Sequence, residues 1–360
     1  MPDAKAHIAF LVSSHGLGHL GQVAAVIDSL RQLAPDLSIS VGSQLAKDIV
    51  RQFLPDDVAI VEAPEHATIA MNGPLEVDVS KTETIFQNWH DHIDDHIIEF
   101  SRWLGDLKPD LVVSDVDYTI FPAAQRCGVK AIAMCSLNWS EILRPMLPVT
   151  ETNMAVCESI DRYNDMAHRF FALEPAMPMP ALNNSQNMPF VARRGNAKGV
   201  RQALALRDDQ RLIMYTMGGI EQVLDVQHWQ VPDNTVWVLP DNLAIDAPWC
   251  LSQRQCGRDY IDLLAAADVL CTKPGYGSFT EACVNDTAVV YVRRHGWPEE
   301  AVLLEWLQQF DRCRSMSHED FIRGNFKTVV ESSLDDPVKP SIPLCGNDVV
   351  AGALLRCLTV

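Results

Sequence analysis

Residues 267–282 read ADVLCTKPGYGSFTEA. The apolar run 269–272 has the length and composition of a buried strand, and Pro274, Gly275 and Gly277 break it into a turn. A helix is expected from about residue 278 to 284, with Ser278, Thr280 and Glu281 in its first turn. A glycine-rich strand-to-helix turn offers backbone N–H groups to an anion at a helix N-terminus. Together with the Ser278 and Thr280 hydroxyls it can cradle a diphosphate, and a carboxylate one turn further on can accept both hydroxyls of a ribose. The alternative is an N-capped helix in which Glu281 completes a capping box after Ser278. Spacing alone leaves both open.

Outward from this stretch the chain alternates strand-like and helix-like segments. Downstream, 288–292 is a strand. Upstream, 260–267 is helical, 236–239 is a strand, and the apolar run 212–216 ends in Met217-Gly218-Gly219. Between 174 and 194 the rhythm stops, with Pro175, Pro178, Pro180 and Pro189 among Met and Asn residues. Such a stretch marks a linker. Before it lie strands at 8–12, 37–41, 58–61, 111–114 and 131–135. Helical stretches at 22–33, 46–53, 84–107 and 121–126 alternate with them. Repeated βα units imply parallel sheets covered by helices on both faces. The expected architecture is α/β with two Rossmann-like domains facing each other across a cleft. Residues 1–175 form the first, 176–197 the linker and 198–340 the second. Residues 341–360 form a helix packing back towards the first.

The first half carries a second glycine-rich turn, Ser13-Ser14-His15-Gly16-Leu17-Gly18-His19, between strand 8–12 and helix 22–33. Gly16, Gly18 and Gly21 match G-x-G-x-x-G. The acidic residue expected after the second strand of a dinucleotide site is missing, since Ser40-Val41-Gly42-Ser43 stands there. A nicotinamide or flavin enzyme is therefore a poor fit, and no cofactor is expected. A histidine at such a turn suits a general base for a hydroxyl, because it titrates near neutrality. His19 is the candidate, against the alternative of a histidine that only hydrogen-bonds locally.

Composition narrows the function classes. The 360 residues are 48% hydrophobic with a formal charge of −18, against the basic surface that nucleic acid or anionic membranes require. No apolar run reaches the length of a membrane span. Ten cysteines contain no C-x-x-C pair, which suits a reducing, cytoplasmic setting without disulfides. Two metal patterns occur: Asp115-Val116-Asp117 is formally D-x-D, and His92 and His96 share a helical spacing. Carboxylates at a strand end and a solvated helix face are the plainer readings, and no metal is expected. Trp139 follows strand 131–135 and is a candidate to stack on an acceptor, or else a core tryptophan.

The two glycine-rich turns resemble those of GT-B glycosyltransferases such as the peptidoglycan glucosaminyltransferase. They also resemble the glycosyltransferase-like half of plant L-arabinokinases, where a G-H-G-x-G-H turn pairs with G-Y-G-T-x-x-E-A. There V-R-R and E-E follow, here Val292-Arg293-Arg294 and Glu299-Glu300. The resemblance implies that Gly18, Met217, Gly218, Gly219, Lys273, Gly275, Tyr276, Gly277, Ser278 and Thr280 surround the donor. Glu281 would hold its ribose, while Arg293, Glu299 and Glu300 would approach its sugar or the leaving diphosphate. His19 would be the base and Asp115 its orienting carboxylate. Asp117 is a rival to Asp115 and a candidate acceptor contact beside Trp139. His15 replaces the small residue usual in the transferase loop, so it stands as an alternative base.

The implied activity is inverting, metal-independent transfer of a sugar from a nucleotide-diphosphate donor, expected to be a UDP-sugar, to a hydroxyl acceptor. A nucleotide-sugar hydrolase or 2-epimerase and a non-catalytic nucleotide-sugar sensor are the alternatives.

Overall fold

A computed structural model describes residues 5–220, 222–310, 312–335 and 346–359. Seven strands form the first sheet: β1 (His7–Val12), β2 (Ser38–Ser43), β3 (Ala59–Glu62), β4 (Leu111–Asp115), β5 (Lys130–Cys135), β6 (Arg169–Leu173) and β7 (Ser185–Met188). Their order is β3-β2-β1-β4-β5-β6-β7, and every pairing is parallel. Six more form the second sheet: β8 (Arg211–Tyr215), β9 (Thr235–Leu239), β10 (Cys250–Ser252), β11 (Val269–Thr272), β12 (Ala288–Val292) and β13 (Cys313–Met316). Their order, β10-β9-β8-β11-β12-β13, is again wholly parallel. The central strands are apolar on both faces because helices cover both sides, as continuous runs such as Ile8–Val12 require.

Strand order reverses between β1 and β4 in the first sheet and between β8 and β11 in the second. A ligand crevice opens at such a switch point, outside the carboxyl ends of the strands. Both glycine-rich turns leave strands that border it. The turn at 13–17 leads from β1 into the helix Gly18–Leu33, and the turn at 273–275 leads from β11 into the helix Tyr276–Val284.

Two segments differ from the sequence expectation. The single helix expected over 84–107 is two, Val79–Asp91 and Ile93–Leu107, with His92 out of helical geometry between them. The pieces serve different neighbours: the first packs on the helix Glu151–Asn164 and the second on Ile120–Cys127. The proline-rich stretch is not all connection, since β7 lies within it and adds an edge strand to β6. Prolines there flank the strand instead of interrupting its ladder. The last helix, Gly346–Thr359, packs on the helix Gly18–Leu33 through Val350, Ala351 and Leu354. The expected boundary at 340/341 lies outside the described residues.

The segment joining the sheets is seated tightly on the second. Gly195 donates its N–H to Asn285 Oδ1 at 3.0 Å, and a Cβ there would fall 2.1 Å from the Ile261 carbonyl oxygen. Backbone cannot give way as a side-chain tip can, so Gly195→Ala is expected to cost about 1–3 kcal/mol of stability. A urea titration reads this as a lower midpoint, and an unchanged midpoint would contradict the close seating.

Candidate active site

The pairing of β1 with β4 sets Asp115 beside Val12. Five residues of turn later, the helix Gly18–Leu33 begins, which brings His19 in its first turn back over the end of β4. His19 Nδ1 lies 3.0 and 3.1 Å from the two Asp115 carboxylate oxygens, across 96 positions of sequence. Both side chains are buried. Burial alone would lower the His19 pKa, but the Asp115 carboxylate beside it, helped by Glu299, outweighs this and raises it above the ordinary value. The bond to Asp115 assigns the ring proton to Nδ1 and leaves the Nε2 lone pair for chemistry.

Val116 supports this geometry. Its φ is +70°, a conformation that costs a β-branched residue on the order of 1–3 kcal/mol. The kink sends the neighbouring carboxylates to different partners. Asp115 meets His19, whereas Asp117 accepts the Ile120 N–H at the start of the next helix and, buried without a cation, has its pKa pushed up to about 7. The two carboxylates of the D-x-D pattern are thus turned to different partners, and Asp117 holds the first turn of the next helix.

His15 sits differently. Its ring stacks on Trp297 at 5.3 Å with the planes 1° apart, and Trp139 meets it edge-on at 5.6 Å. Burial, then the charges of His19, Lys273 and Arg294, hold its pKa well below the ordinary value. It is a clamped neutral imidazole without a carboxylate partner among the described residues. Trp139 is only 1% exposed and packs edge-on against both histidines, so it backs the site and offers no face to an acceptor.

The two glycine-rich turns meet across the cleft. Leu17 donates its N–H to Gly218 O at 3.3 Å, and a Cβ on Gly277 would lie 3.4 Å from Gly18 Cα. Gly218 and Gly219 have φ of +68° and +82°, and a Cβ on Gly219 would strike the Leu17 side chain at 2.9 Å. Only glycine lets these backbones pass so closely. Two helix N-termini, at Gly18 and Tyr276, thus converge on one space and favour negative charge there.

That space has two chambers. A cavity of about 170 Å³ runs between Met217–Gly219, Ser278 and Glu281 on one side and Gly18, Gly21 and Phe53 on the other. Arg193, from the segment joining the sheets, donates from Nε to Glu281 Oε1 at 2.7 Å and stacks on Phe53 at 4.3 Å. Glu281 therefore faces a cavity and an arginine and does not close a capping box. The second chamber, about 70 Å³, holds His15, His19, Lys273, Gly275, Arg294 and Glu299 among its walls.

Two cations stand in the second chamber. Lys273 makes no hydrogen bond or ion pair among the described residues, and burial, then Arg294, push its pKa down to about 7. Arg294 Nε and Nη2 make no hydrogen bond, with the nearest Glu300 oxygen 4.0 Å from Nε. The Arg294 pKa is pulled to about 10, chiefly by burial. Arg294, held over the Trp297 ring at 4.4 Å with Nε and Nη2 unbonded, and Lys273, both beside two helix N-termini, form a candidate anion site.

Several sequence candidates are placed elsewhere. Arg293, the position matched to a donor contact, has a side chain 68% exposed and bonds Glu300, while its neighbour Arg294 is 4% exposed and faces the chamber. Strand β12 alternates sides, so a one-residue offset at its end reverses the direction. Glu300 is spent on Arg293 Nε and the Arg294 N–H, whereas Glu299 lines the chamber and accepts from Ser136 Oγ and Trp297 Nε1. The Thr280 hydroxyl turns back to the Tyr276 carbonyl in its own helix. The Tyr276 hydroxyl accepts the Val191 N–H, so this side chain ties the segment joining the sheets and leaves only backbone for a ligand. His92 ends a helix, and the His96 ring stacks on Trp89 at 3.4 Å. Among the described residues, the one group of three metal-capable side chains is His19, Asp115 and Cys135, the last with Sγ 3.8 Å from His19 Nδ1.

Comparison with known proteins agrees with this fold. No family model matches the sequence. The chain is 24% identical over 341 residues to an L-arabinokinase of Arabidopsis thaliana, covering 91% of this chain and 32% of that protein. It thus spans about a third of the relative's length, and the likeness read from the two turn motifs extends along most of the chain. Among solved structures, a Polygonum tinctorium UDP-glucosyltransferase capable of glucosylating indoxyl superposes with a TM-score of 0.61 at 12% identity, over 99% of this chain and 94% of that one. The spinosyn forosaminyltransferase SpnP gives 0.62 at 14% identity over 99% and 100%. The calicheamicin glycosyltransferase CalG4 gives 0.60 at 14% over 99% and 97%. The fold is GT-B, two facing Rossmann-like sheets. No described helix is long and apolar enough to cross a membrane.

Proposed function

We propose that this chain is an inverting, metal-independent glycosyltransferase that draws a sugar from a nucleoside diphosphate donor, a UDP-sugar, and passes it to a hydroxyl. The observation that carries the reading is the meeting of the buried His19–Asp115 pair with the Lys273 and Arg294 cations at the switch points of both sheets. The larger cavity would take the nucleoside, with Glu281 accepting from the ribose hydroxyls through the oxygen that Arg193 leaves free. The diphosphate would lie across Gly275–Ser278, with Lys273 and Arg294 supplying the charge that a divalent ion supplies elsewhere.

The chemistry is a single displacement. The acceptor oxygen forms a bond to the anomeric carbon from the face opposite the diphosphate, which inverts that centre. The acceptor proton passes to His19 Nε2, and Asp115 steadies the imidazolium so formed. The bond from the anomeric carbon to the β-phosphate oxygen breaks, and its electron pair leaves with the nucleoside diphosphate. His15, held neutral between two tryptophans without a carboxylate behind it, is the weaker base.

Release of nucleoside diphosphate from a UDP-sugar in the presence of a chelator tests the reading, and its pH dependence tests the assignments. His19 must lose its proton, so kcat/KM should climb as pH rises through a value above 6.5. Lys273 must keep its proton to hold the donor, so kcat/KM should fall as pH rises through about 7. A narrow bell is expected for the free protein. A bound diphosphate raises the Lys273 pKa, so the alkaline limb of kcat should move upward and donor binding above pH 7 should take up a proton. An alkaline limb at the same pH in both profiles would contradict the placement of Lys273.

A further inference from the structure

Cys135 is a buried thiol that the displacement at the anomeric carbon does not use. It ends β5, the neighbour of β4 in the first sheet, just as Asp115 ends β4. Its Sγ lies 3.8 Å from His19 Nδ1, the same nitrogen that lies 3.0 and 3.1 Å from the Asp115 oxygens. The three ligand-type atoms fall within 4.8 Å of one another, and all three residues are buried. They come from a helix and two strands, so sheet packing sets their spacing and no single loop does.

The spacing is close to what a tetrahedral zinc ion demands. Bonds of about 2.1 Å to nitrogen and oxygen and about 2.3 Å to sulfur place N and O about 3.4 Å apart, and N and S about 3.6 Å apart. The observed separations differ from these by a few tenths of an ångström, within the reach of side-chain adjustment. Charge agrees as well. A carboxylate, a thiolate and a neutral imidazole together cancel a divalent ion, which suits a site taken out of water. A thiolate ligand selects Zn²⁺ or Cd²⁺ over Mg²⁺, Ca²⁺ and Mn²⁺.

We propose that His19, Asp115 and Cys135 form a binding site for a thiol-seeking divalent ion such as Zn²⁺, and that the ion switches the base off. The site stands on its geometry, whereas the switch rests on the transferase reading above. In the metal-free protein Asp115 keeps the ring proton on Nδ1 and leaves the Nε2 lone pair free. The ion takes the Nδ1 lone pair, so a neutral ring must carry its proton on Nε2 instead. Coordination also deprotonates the thiol, and that one proton passes to water for each ion bound. Nε2 then has no lone pair with which to accept the acceptor's proton. Catalysis without a metal and inhibition by one thus follow from a single choice of tautomer.

Co²⁺ is the probe for the site, because a cobalt–thiolate bond absorbs in the near ultraviolet and Zn²⁺ is silent there. The full chain, stripped with a chelator and desalted, should develop that band to saturation at one equivalent of Co²⁺, and Zn²⁺ should bleach it. Cys135→Ala should lose the band, and Cys127→Ala, at an exposed cysteine, should keep it. Calorimetry with UDP checks that each variant is folded. Release of UDP from UDP-glucose by wild type should fall about 10²-fold or more in excess Zn²⁺, the least that a general base contributes, and recover with chelator. Excess Mg²⁺ should not inhibit. Cys135→Ala, compared with its own metal-free rate, should resist Zn²⁺. No thiolate band, or a band that persists in Cys135→Ala, overturns the site. If Cys135→Ala fails to bind UDP, His19→Gln decides, and a band of undiminished affinity there overturns the site. A wild-type band with turnover untouched by Zn²⁺, or equal inhibition in Cys135→Ala, overturns the switch. Absence of turnover in the chelated wild type overturns the transferase reading and the switch with it, while the cobalt band still decides the site.

Discussion

Replacing His19 with Gln should lower kcat by about 10²–10⁴-fold, the range a positioned general base contributes, while leaving nucleotide affinity unchanged. Glutamine nearly fills the imidazole volume and can still donate to Asp115, so the buried carboxylate keeps a partner and the fold is preserved. What is lost is a group that accepts a proton near neutrality. Asp115→Asn should act in the same direction, because an amide neither fixes the Nδ1–H tautomer nor balances an imidazolium. The His15→Gln variant is the internal control. A larger loss of kcat there than at His19 would reverse the roles assigned to the two histidines. Steady-state turnover with matched calorimetric affinities separates these outcomes.

Lys273→Met should separate binding from stability. Methionine keeps most of the side-chain volume and removes the charge. Losing one partner of a buried charge pair costs about 2–5 kcal/mol, so nucleoside diphosphate affinity should fall about 30-fold or more. The unliganded protein should move the other way. Burial lowers the folded Lys273 pKa to about 7, well under its ordinary value of 10.5. Between those values the unfolded chain binds the extra proton, so the wild-type protein gains stability as pH rises through that window. Near and below pH 7 the buried ammonium is a liability, and the methionine variant should resist urea at least as well as wild type. Weaker binding together with weaker folding would instead point to a packing role for Lys273.

Much of this site can be read from the chain because it is built at strand ends. A glycine-rich turn after an apolar run identifies a crevice from local chemistry alone, and two such turns with a proline-rich break between them identify two facing sheets. Gly18, Gly277 and Glu281 are legible in that way, whereas Gly218, Gly219 and His19 as base come from the resemblance. Side-chain direction after the last strand residue is not. Arg293 and Arg294 are chemically identical neighbours, and only the register of β12 decides which turns inward. Arg193 escapes notice for another reason. It lies in an aperiodic proline-rich stretch, and its partners Glu281 and Phe53 are joined to it only by the closed cleft. Trp297 and Leu75 are similar, since each is a lone apolar residue in a turn whose core belongs to the opposite half. Thr280 shows the converse. A hydroxyl at the right spacing for a phosphate is drawn instead to its own helix backbone, a local competitor that spacing does not reveal.

Nucleotide recognition is tested most directly by calorimetric titration of wild type and Glu281→Gln with UDP, GDP, dTDP and CDP in the presence of a chelator. Glutamine retains an oxygen for Arg193 and removes the carboxylate charge, so Arg193 is not left buried without a hydrogen-bond partner. Saturable binding of UDP in preference to the other three is expected, weakened in the variant by about 1.5–3 kcal/mol, the worth of hydrogen bonds to a charged group. Failure of all four to bind the wild-type protein would contradict the donor site.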